Sequence, residues 1–196
     1  TEKEIGYLQG LIPHLEYVSY TQNQGKGHAL RKGVEKAVTD YCIYSDYDFP
    51  FGLEIVQSIY QELQNGTDIV TGRRIGGNYF NSLPFKRQII SRGLVIFNRF
   101  ILGLPVYDTQ AGIKGFDKYG RATFLETTIN RFLFDMEFIL ISSRVEGMTI
   151  KEVPVSITNE TVLSNFGFSV VRQEMNNLMK ILLKKRNGRR RKEDII

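Results

Sequence analysis

The chain has 196 residues, of which 42% are hydrophobic and 24% are charged, a composition typical of one globular domain with a sizeable core. It excludes a disordered, collagen-like or coiled-coil protein. The single cysteine, Cys42, excludes an intrachain disulfide, and no apolar run reaches the roughly 20 residues of a membrane-spanning helix.

The net charge of +5 originates at the C-terminal end of the chain. Seven basic side chains lie in residues 184–192, and without them basic residues are fewer than the 21 acidic ones. A nucleic-acid-binding face would spread its charge over the domain, so we expect no nucleic acid partner. A terminal basic block is typical of a solvated tail or of a contact with an anionic membrane surface.

The N-terminal part of the chain predicts two helices and two strands. Residues 25–27 lead into the first helix, whose apolar face is Leu30, Val34, Ala37 and Val38. Residues 41–44 predict a buried strand, and Ile55, Ile59 and Leu63 mark a second helix that ends at a left-handed cap at 65–66. Residues 68–72 predict the next strand. This strand–helix–strand order is the βαβ signature of an α/β fold with a parallel sheet covered by helices.

The rest of the chain adds helices, a polar loop and a strand. Residues 86–102 predict a helix that Gly103 ends, and residues 108–112 form a polar loop between apolar residues. Residues 134–145 predict a helix with Asp135 as its cap. Residues 149–155 predict a strand that Pro154 places at a sheet edge. The last predicted helix, 169–185, is amphipathic, with an apolar face of Val170, Met175, Leu178, Met179 and Leu182.

Asp46 and Asp48 follow the first predicted strand. If that segment is extended, both carboxylates project to the same side at the carboxyl end of the strand, where open sheets bind ligands. Paired oxygen donors attract Mg²⁺ or Mn²⁺, which takes its remaining ligands from water and a substrate diphosphate. A pair of solvated turn residues is the alternative interpretation.

The segment around Lys26 supplies backbone amides and a cation one helix before that strand. It lacks the glycine spacing and the following Ser or Thr of a Walker loop, which argues against an ATPase. His14 and His28 are the only histidines and are separated by a predicted strand, so neither a histidine metal site nor a Ser-His-Asp triad has support.

Six short motifs occur in an order that resembles family 2 glycosyltransferases, in particular the polyprenyl-phosphate sugar synthases related to dolichyl-phosphate mannosyltransferase. The motifs span the chain to about residue 168, and they are Gly25-Lys26-Gly27, Ser45-Asp46-Tyr47-Asp48, Gly72-Arg73-Arg74, the segment 108–114, the segment 134–137 and Glu152-Val153-Pro154-Val155.

The resemblance implies a GT-A fold, a Rossmann-like and mostly parallel sheet flanked by helices, in residues 1–168. It implies a UDP- or GDP-linked sugar donor, a divalent ion and transfer with inversion. Asp46 and Asp48 would hold the donor ribose and the metal, and Lys26 would line the donor site. Arg74 and Arg92 would face the phosphates of donor and acceptor.

Two features depart from the family pattern. The family's opening strand and its later Asp-Asp-Gly-Ser segment are absent, and because the chain begins at Thr1 with all four methionines internal, we expect it to lack the first strand or strands. Pro50 occupies a position that is often polar in the mannosyltransferase relatives, so one possible metal ligand is missing.

The acceptor decides which residues are catalytic. A lipid phosphate is largely ionised at neutral pH and needs no strong base, so Asp108 would orient it. A sugar hydroxyl must lose a proton, and Asp108, Asp135 or Glu137 would then act as the base. The structural alternatives are a helix cap for Asp135 and a helix-surface charge for Glu137.

Three functions therefore remain open from the sequence. The first is transfer of a sugar to a polyprenyl-phosphate-type acceptor; the second is extension of a surface polysaccharide or glycolipid on a hydroxyl; the third is a non-catalytic, membrane-associated module of the same fold. Residues 169–196, the amphipathic helix and basic tail, predict contact with an anionic membrane, and we expect a cytoplasmic protein at the cytoplasmic face of that membrane.

Overall fold

The structure, a computed structural model, describes residues 2–75, 93–156, 168–184 and 188–196. Its helices are α1 (Glu2–Leu11), α2 (Lys26–Lys36), α3 (Glu54–Gln64), α4 (Lys118–Leu125), α5 (Phe134–Ser142) and α6 (Phe168–Lys184), with a π-helical turn at Phe97–Leu102 and a 3₁₀ turn at Lys192–Asp194. Its strands are β1 (Cys42–Ser45), β2 (Ile69–Arg74), β3 (Ile113–Phe116), β4 (Val145–Glu146), β5 (Ile150–Val155) and β6 (Arg190–Arg191).

The main sheet has the strand order β1-β3-β2-β5. β2 and β5 pair in parallel, whereas β3 is antiparallel to both of its neighbours, β1 and β2. Three of the four strands therefore share one direction, and the predicted α/β class with a mostly parallel sheet is confirmed. The predicted βαβ unit exists as β1-α3-β2, but its two strands are not neighbours because β3 lies between them.

The two faces of the sheet carry separate cores because side chains alternate along a strand. Ile113 of β3 and Val70 of β2 pack with Ile59 and Leu63 of α3 on one face. On the other face, an aromatic cluster joins β3 to α4 and α5, with Phe116 and Phe124 stacked at 5.1 Å between ring centroids.

The predicted helices of the N-terminal part are present with one difference in length. α3 ends at Gln64, and the predicted cap at 65–66 follows it: Gly66 has a φ of 91°, the left-handed conformation that glycine adopts readily. α2 ends at Lys36, and Ala37 is already extended. Val38 is therefore 94% exposed, and its predicted place on the buried helix face is wrong.

The middle of the chain differs more from the prediction. The predicted helix 86–102 is described from residue 93, and residues 86–92 lie outside the described residues. It widens into the π-helical turn at Phe97–Leu102 before Gly103, whose φ is 66°. Helix α4 was not predicted. Asp117 caps it by accepting hydrogen bonds from the amides of Tyr119 and Gly120.

Helix α6 buries a different stripe from the predicted one. Ile181 is fully buried, and Leu178 and Leu182 pack beside it against the core. Met175 and Met179 are each 56% exposed and, with Leu183, form an adjacent stripe four residues apart. The helix is amphipathic as predicted, but its two methionines lie on the solvent side.

The basic tail folds back onto the domain. β6 pairs in parallel with β4, Arg190 forms a bidentate pair with Glu126, and Lys192 contacts Asp68. Lys184 at the end of α6 contacts Glu137 at 2.5 Å. The alternative of a simply solvated tail is therefore wrong for these three cations. Across the described ranges, every helix is too short or too polar to cross a membrane.

Candidate functional site

The candidate site lies at one edge of the main sheet. β1 and β2 run in the same direction, so the residues after them, beginning with Asp46 and Ile75, emerge at the same edge. β3 is antiparallel to both, so the loop that precedes Ile113 also lies there. The topology thus brings the predicted segments 46–48, 72–74 and 108–112 together.

Lys26 and Asp46 meet at this edge. Lys26 is the first residue of α2, and its Nζ donates to Asp46 Oδ1 across a half-exposed pair. Gly25 and Gly27 let the start of α2 approach the 129–130 loop, because a Cβ at either position would collide with backbone there. An open depression of about 400 Å³, lined by Tyr20, Asn23, Gly25, Lys26 and Ala29, adjoins the pair.

Asp48 does not lie in an extended segment. The amide of Phe49 donates to the Asp46 carbonyl at 3.1 Å, and Phe49 adopts a φ of 43°, so residues 46–49 form a turn. Asp48 is exposed on that turn. The expectation that strand alternation aligns Asp46 and Asp48 is therefore wrong, because the two residues lie in a turn.

Asp108 and Arg74 form a bidentate ion pair at the site. Arg74 donates from Nε to Asp108 Oδ2 at 2.7 Å, from Nη2 to Oδ1 at 2.8 Å, and from its backbone amide to Oδ2 at 3.2 Å. The amide of Gln110 donates to the same carboxylate at 3.0 Å. Burial alone raises the pKa of Asp108, but the bonds from Arg74 and Gln110 outweigh it and lower the pKa below its usual value.

Glu152 anchors this loop, a role that the sequence analysis missed. Its Oε1 accepts from the amides of Tyr107 at 2.8 Å and Asp108 at 3.0 Å, which ties β5 to the start of the loop. Its motif, 152–155, was noticed only as part of the resemblance. A carboxylate near the start of a predicted edge strand carries no signal of a partner more than 40 residues away.

Gly112 brings the loop against Asp46. The amide of Asp46 donates to the Gly112 carbonyl at 3.0 Å, and a Cβ on Gly112 would overlap the Asp46 carboxylate. Asp46 thus contacts Lys26 on one side and the backbone of the loop on the other. The loop, the end of β1 and the start of α2 form one connected site.

Asp135 lies beneath this site and does not cap α5. It accepts from Lys114 Nζ at 2.6 Å and from the Tyr44 hydroxyl, and its side chain is only 5% exposed. Leu133 occupies the cap position, so the capping alternative is wrong. The contacts make Asp135 the counter-ion of a buried lysine.

Glu137 is fully buried, so the helix-surface alternative is wrong as well. Its carboxylate accepts from the amides of Thr128 and Ile129, both at 2.8 Å, from the Thr128 hydroxyl and from Lys184. These bonds connect α5, the 128–129 turn and α6. The described contacts of Glu137 are structural and do not reach the site.

Arg92, predicted to face a phosphate, lies outside the described residues. The described site therefore combines Lys26, Asp46, Asp48, Arg74 and Asp108, and it leaves Asp135 beneath them and Glu137 apart.

The donor set at Asp46 and Asp48 is compatible with a divalent cation. Both are carboxylates at least partly open to solvent, and Mg²⁺ typically takes one or two protein carboxylates and completes its shell with water and substrate phosphate. Within the described ranges, three or more His, Cys, Asp or Glu side chains do not gather as a metal cluster. The residues thus fit a metal that arrives with a diphosphate.

Comparison with known proteins decides the family. The family model described as Glycosyl transferase family 2 matches residues 1–129, most of the chain. The chain belongs to glycosyl transferase family 2. The resemblance inferred from the short motifs is thereby confirmed.

Among the family 2 relatives are three enzymes named for lipid-linked sugars. Dolichol-phosphate mannosyltransferase of Pyrococcus furiosus is 25% identical over 74% of this chain and 40% of its own length. Dolichyl-phosphate beta-glucosyltransferase of Dictyostelium discoideum is 27% identical over 74% and 46%, and polyprenol monophosphomannose synthase of Mycolicibacterium smegmatis is 22% identical over 79% and 61%. The chain spans about half the length of these relatives.

Solved structures support the fold of this family 2 chain. A crystal structure of glucosyl-3-phosphoglycerate synthase from Mycobacterium tuberculosis, in complex with Mn²⁺, UDP and phosphoglyceric acid, aligns with a TM-score of 0.58 and 15% identity, covering 90% of this chain and 57% of that one. The complex of the same enzyme with Mg²⁺ and UDP also gives a TM-score of 0.58 at 15% identity, covering 90% and 58%. The predicted GT-A fold is confirmed.

Proposed function

We propose that this chain carries the catalytic site of an inverting, metal-dependent glycosyltransferase that moves a sugar from a nucleotide-sugar to a polyprenyl-phosphate-type lipid. The observation that carries the proposal is the pairing of Arg74 with an ionised Asp108 beside the Lys26–Asp46 pair at one sheet edge. The chain's membership of family 2 and the lipid-phosphate names of its relatives support it.

Lys26, Asp46 and Asp48 form the donor side of the proposed site. The depression beside Lys26 accommodates part of the nucleotide, and the ammonium of Lys26 balances negative charge there. Asp46 and Asp48 would hold Mg²⁺ or Mn²⁺, whose charge stabilises a leaving diphosphate. Because the Asp46 carboxylate already contacts Lys26, binding of the nucleotide-sugar and its metal ion requires this ion pair to rearrange.

Arg74 and Asp108 form the acceptor side. The Asp108 carboxylate binds the guanidinium of Arg74 through Nε and Nη2 and thereby fixes its orientation, and an oriented guanidinium is the group that binds phosphate with defined geometry. A phosphate monoester has its second pKa near 6 and is largely ionised at neutral pH. The acceptor oxygen then needs no base, which agrees with a carboxylate of lowered pKa whose role is to orient Arg74.

The same geometry ranks the alternatives. A hydroxyl acceptor needs a base, but Asp108 is bound to Arg74, Asp135 to Lys114 and Glu137 to Lys184. A non-catalytic module needs neither an ionised Asp108 nor an oriented arginine. Transfer to a phosphate acceptor requires both features, so we favour this function over the other two.

The acceptor lipid implies a location at a membrane surface, and we propose the cytoplasmic face. Arg189 and Arg191 are exposed on the tail, which follows α6 in the sequence, and α6 exposes a stripe that consists of Met175, Met179 and Leu183. Cations beside apolar side chains are typical of interfacial segments. This part of the proposal rests on exposed residues of the tail and not on its ion-paired cations.

A transfer assay on the purified protein tests the proposed function. UDP- and GDP-linked sugars are supplied with Mn²⁺ and either a short-chain polyprenyl phosphate or the corresponding polyprenol, and calorimetry with UDP and GDP measures donor binding. We expect Mn²⁺-dependent transfer to the phosphate alone. Arg74→Lys retains the charge but loses the bidentate pairing, so we expect kcat/KM for the acceptor to fall about 100-fold.

Lys151→Met, which removes an exposed lysine from β5, is the control and should retain full activity. Preferential transfer to the polyprenol would favour the hydroxyl acceptor. Nucleotide binding without transfer to either acceptor would favour the non-catalytic module.

A further inference from the structure

Lys114 is a fully buried lysine at the centre of the main sheet, directly behind the candidate site. It lies opposite Tyr44 of β1 and Thr71 of β2 in the strand register, and its side chain has no exposure. Burying an ammonium is costly unless it is paired and hydrogen-bonded. A chain that retains a lysine here gains something from it that an apolar side chain would not supply.

The ammonium of Lys114 has two described acceptors, and they belong to different parts of the molecule. It contacts Asp135 Oδ1 of α5 at 2.6 Å and donates to the backbone carbonyl of Ala111 at 2.8 Å. The Tyr44 hydroxyl donates to the same Asp135 oxygen. Asp135 and Tyr44 thus orient the lysine, and the lysine in turn binds the loop.

Burial lowers the pKa of Lys114, and Asp135 opposes this effect by favouring the charged form. The same burial, reinforced by Asp135, raises the pKa of Tyr44 well above its usual value, so its hydroxyl stays protonated and donates to the carboxylate. The Lys114 side chain has no exposure, and both of its described partners are groups of the protein, so we treat it as a positioning group and not as one that contacts a substrate.

The bond to Ala111 acts on both halves of the site. Ala111 immediately precedes Gly112, whose carbonyl accepts the amide of Asp46 and whose Cα lies against the Asp46 carboxylate. Three residues before Ala111 is Asp108, which orients Arg74. A displacement of the Ala111 carbonyl therefore moves two carboxylates together: that of Asp46, on the sugar-donor side of the proposed site, and that of Asp108, which pairs with Arg74.

We propose that Lys114 is a positioning residue that, through the Ala111 carbonyl, fixes the 108–112 loop and thereby places Asp46 and Asp108 relative to each other. The proposal deepens the proposed function and rests on it for any effect on sugar transfer. Its effect on the position of the loop stands independently of that function.

A pair of double variants separates positioning from stability. Lys114→Met with Asp135→Asn removes both buried charges, whereas Lys114→Gln with Asp135→Asn removes the same charges but keeps an N–H donor at residue 114. Neither double variant leaves an unpaired buried ion, so we expect their melting temperatures to differ by only a few degrees. The two variants differ in whether residue 114 donates a hydrogen bond to the Ala111 carbonyl.

Native-state hydrogen exchange of the Asp46 amide is the first measurement, because that amide donates to Gly112. We expect the Met variant to exchange at least about tenfold faster at Asp46 than the Gln variant, while the amide of Phe124 in α4 is unchanged. Equal exchange at Asp46 in the two double variants would overturn the proposal.

Sugar transfer is the second measurement. We expect kcat in the Met double variant to fall about 100-fold and to recover in part in the Gln variant, although both are equally stable. A merely structural lysine predicts equal turnover at equal stability, and that result would also overturn the proposal. If the parent transfers no sugar, the proposed function fails, and the exchange experiment still decides the role of Lys114.

Discussion

Gly112 shows how a missing side chain can position a functional one. The Asp46 carboxylate lies against its Cα, in the space that a Cβ would occupy. No property of glycine in the sequence distinguishes this position from a turn glycine. Its role depends on β3 lying next to β1, which places two segments more than 60 residues apart in contact.

Replacing Gly112 with alanine should displace Asp46. The added methyl forces the carboxylate away from its place, and overpacking of this kind costs about 1–3 kcal/mol of unfolding free energy. We expect Mn²⁺-dependent nucleotide binding, measured by calorimetry, to weaken at least about tenfold. Gly33→Ala is the matched control, because Gly33 lies in α2 with open space around it and alanine favours a helix. Equal nucleotide affinity in Gly112→Ala and Gly33→Ala would contradict this role of Gly112.

Asp108 illustrates how far a residue can be interpreted from its motif. Its position in a polar loop between apolar residues made it a candidate functional residue, but two roles, base and orienting group, remained open. The structure favours the second, because Arg74 and the Gln110 amide occupy its carboxylate oxygens. The partner lies 34 residues away, so local sequence carries no information about it.

At the scale of elements, the tail and the domain are connected by paired charges. Asp68, which precedes β2, accepts from the amide and hydroxyl of Thr149, both at 2.7 Å, and from Lys192. Lys192 also lies 4.4 Å from the centre of the Tyr119 ring. Burial raises the pKa of Asp68, but the bonds from Lys192 and Thr149 more than compensate, and its pKa lies below the usual value.

Because the pKa of Asp68 is lower in the folded than in the unfolded state, the pairing stabilises the fold above the unfolded pKa, near 4, and the stabilisation is lost as the pH falls through the folded pKa. We therefore expect Lys192→Met to lower the unfolding free energy by about 1–3 kcal/mol at pH 7, and by much less at pH 2–3. Urea unfolding at both pH values measures this difference.

Lys151→Met is the control for the tail, because its pair with Glu62 is largely exposed and contributes about 0–1 kcal/mol. If Lys192→Met costs no more than Lys151→Met at pH 7, the tail does not stabilise the domain through Asp68.

At the scale of the whole molecule, charge and apolar surface coincide near the C-terminus. Exposed Arg189 and Arg191 follow α6, whose outer stripe exposes Met175, Met179 and Leu183. Near an anionic membrane, each arginine contributes about 1 kcal/mol of binding free energy. Arg189→Gln with Arg191→Gln should therefore weaken binding to anionic vesicles about 30-fold, as measured by flotation.

The control for the flotation experiment removes the same number of positive charges from surfaces outside the tail. Lys36→Gln with Lys151→Gln removes two exposed lysines from α2 and β5 and should leave vesicle binding close to that of the parent. Equal loss in both double variants would indicate a response to net charge alone, and no loss in either would exclude the tail as the contact.

Local sequence predicted most elements of the fold. The strands β1, β2 and β5 and the helices α2, α3, α5 and α6 were predicted, because apolar periodicity and glycine caps are properties of neighbouring residues. The position of β3 was not predicted. Its insertion as an antiparallel strand between β1 and β2 depends on pairing between segments that are distant in the sequence. Helix α4 was missed although Asp117 is a typical cap.

The candidate site was predicted in its residue types and only partly in its geometry. The motifs identified Lys26, Asp46, Asp48, Arg74 and Asp108, and the structure gathers them at one edge of the sheet. Asp135 and Glu137 belong to the same motif pattern, but burial makes one the partner of Lys114 and the other the partner of Lys184. A carboxylate in a motif looks the same in sequence whether it is exposed or paired.

The sequence by itself determined the family, the α/β class and the groups available for chemistry, because these depend on residue type, order and local periodicity. Only the tertiary structure decided which groups pair with each other: Arg74 with Asp108, Lys114 with Ala111 and Asp135, and Lys192 with Asp68. The physical reason is that burial and Coulomb interactions depend on distances through space, which chain separation does not give.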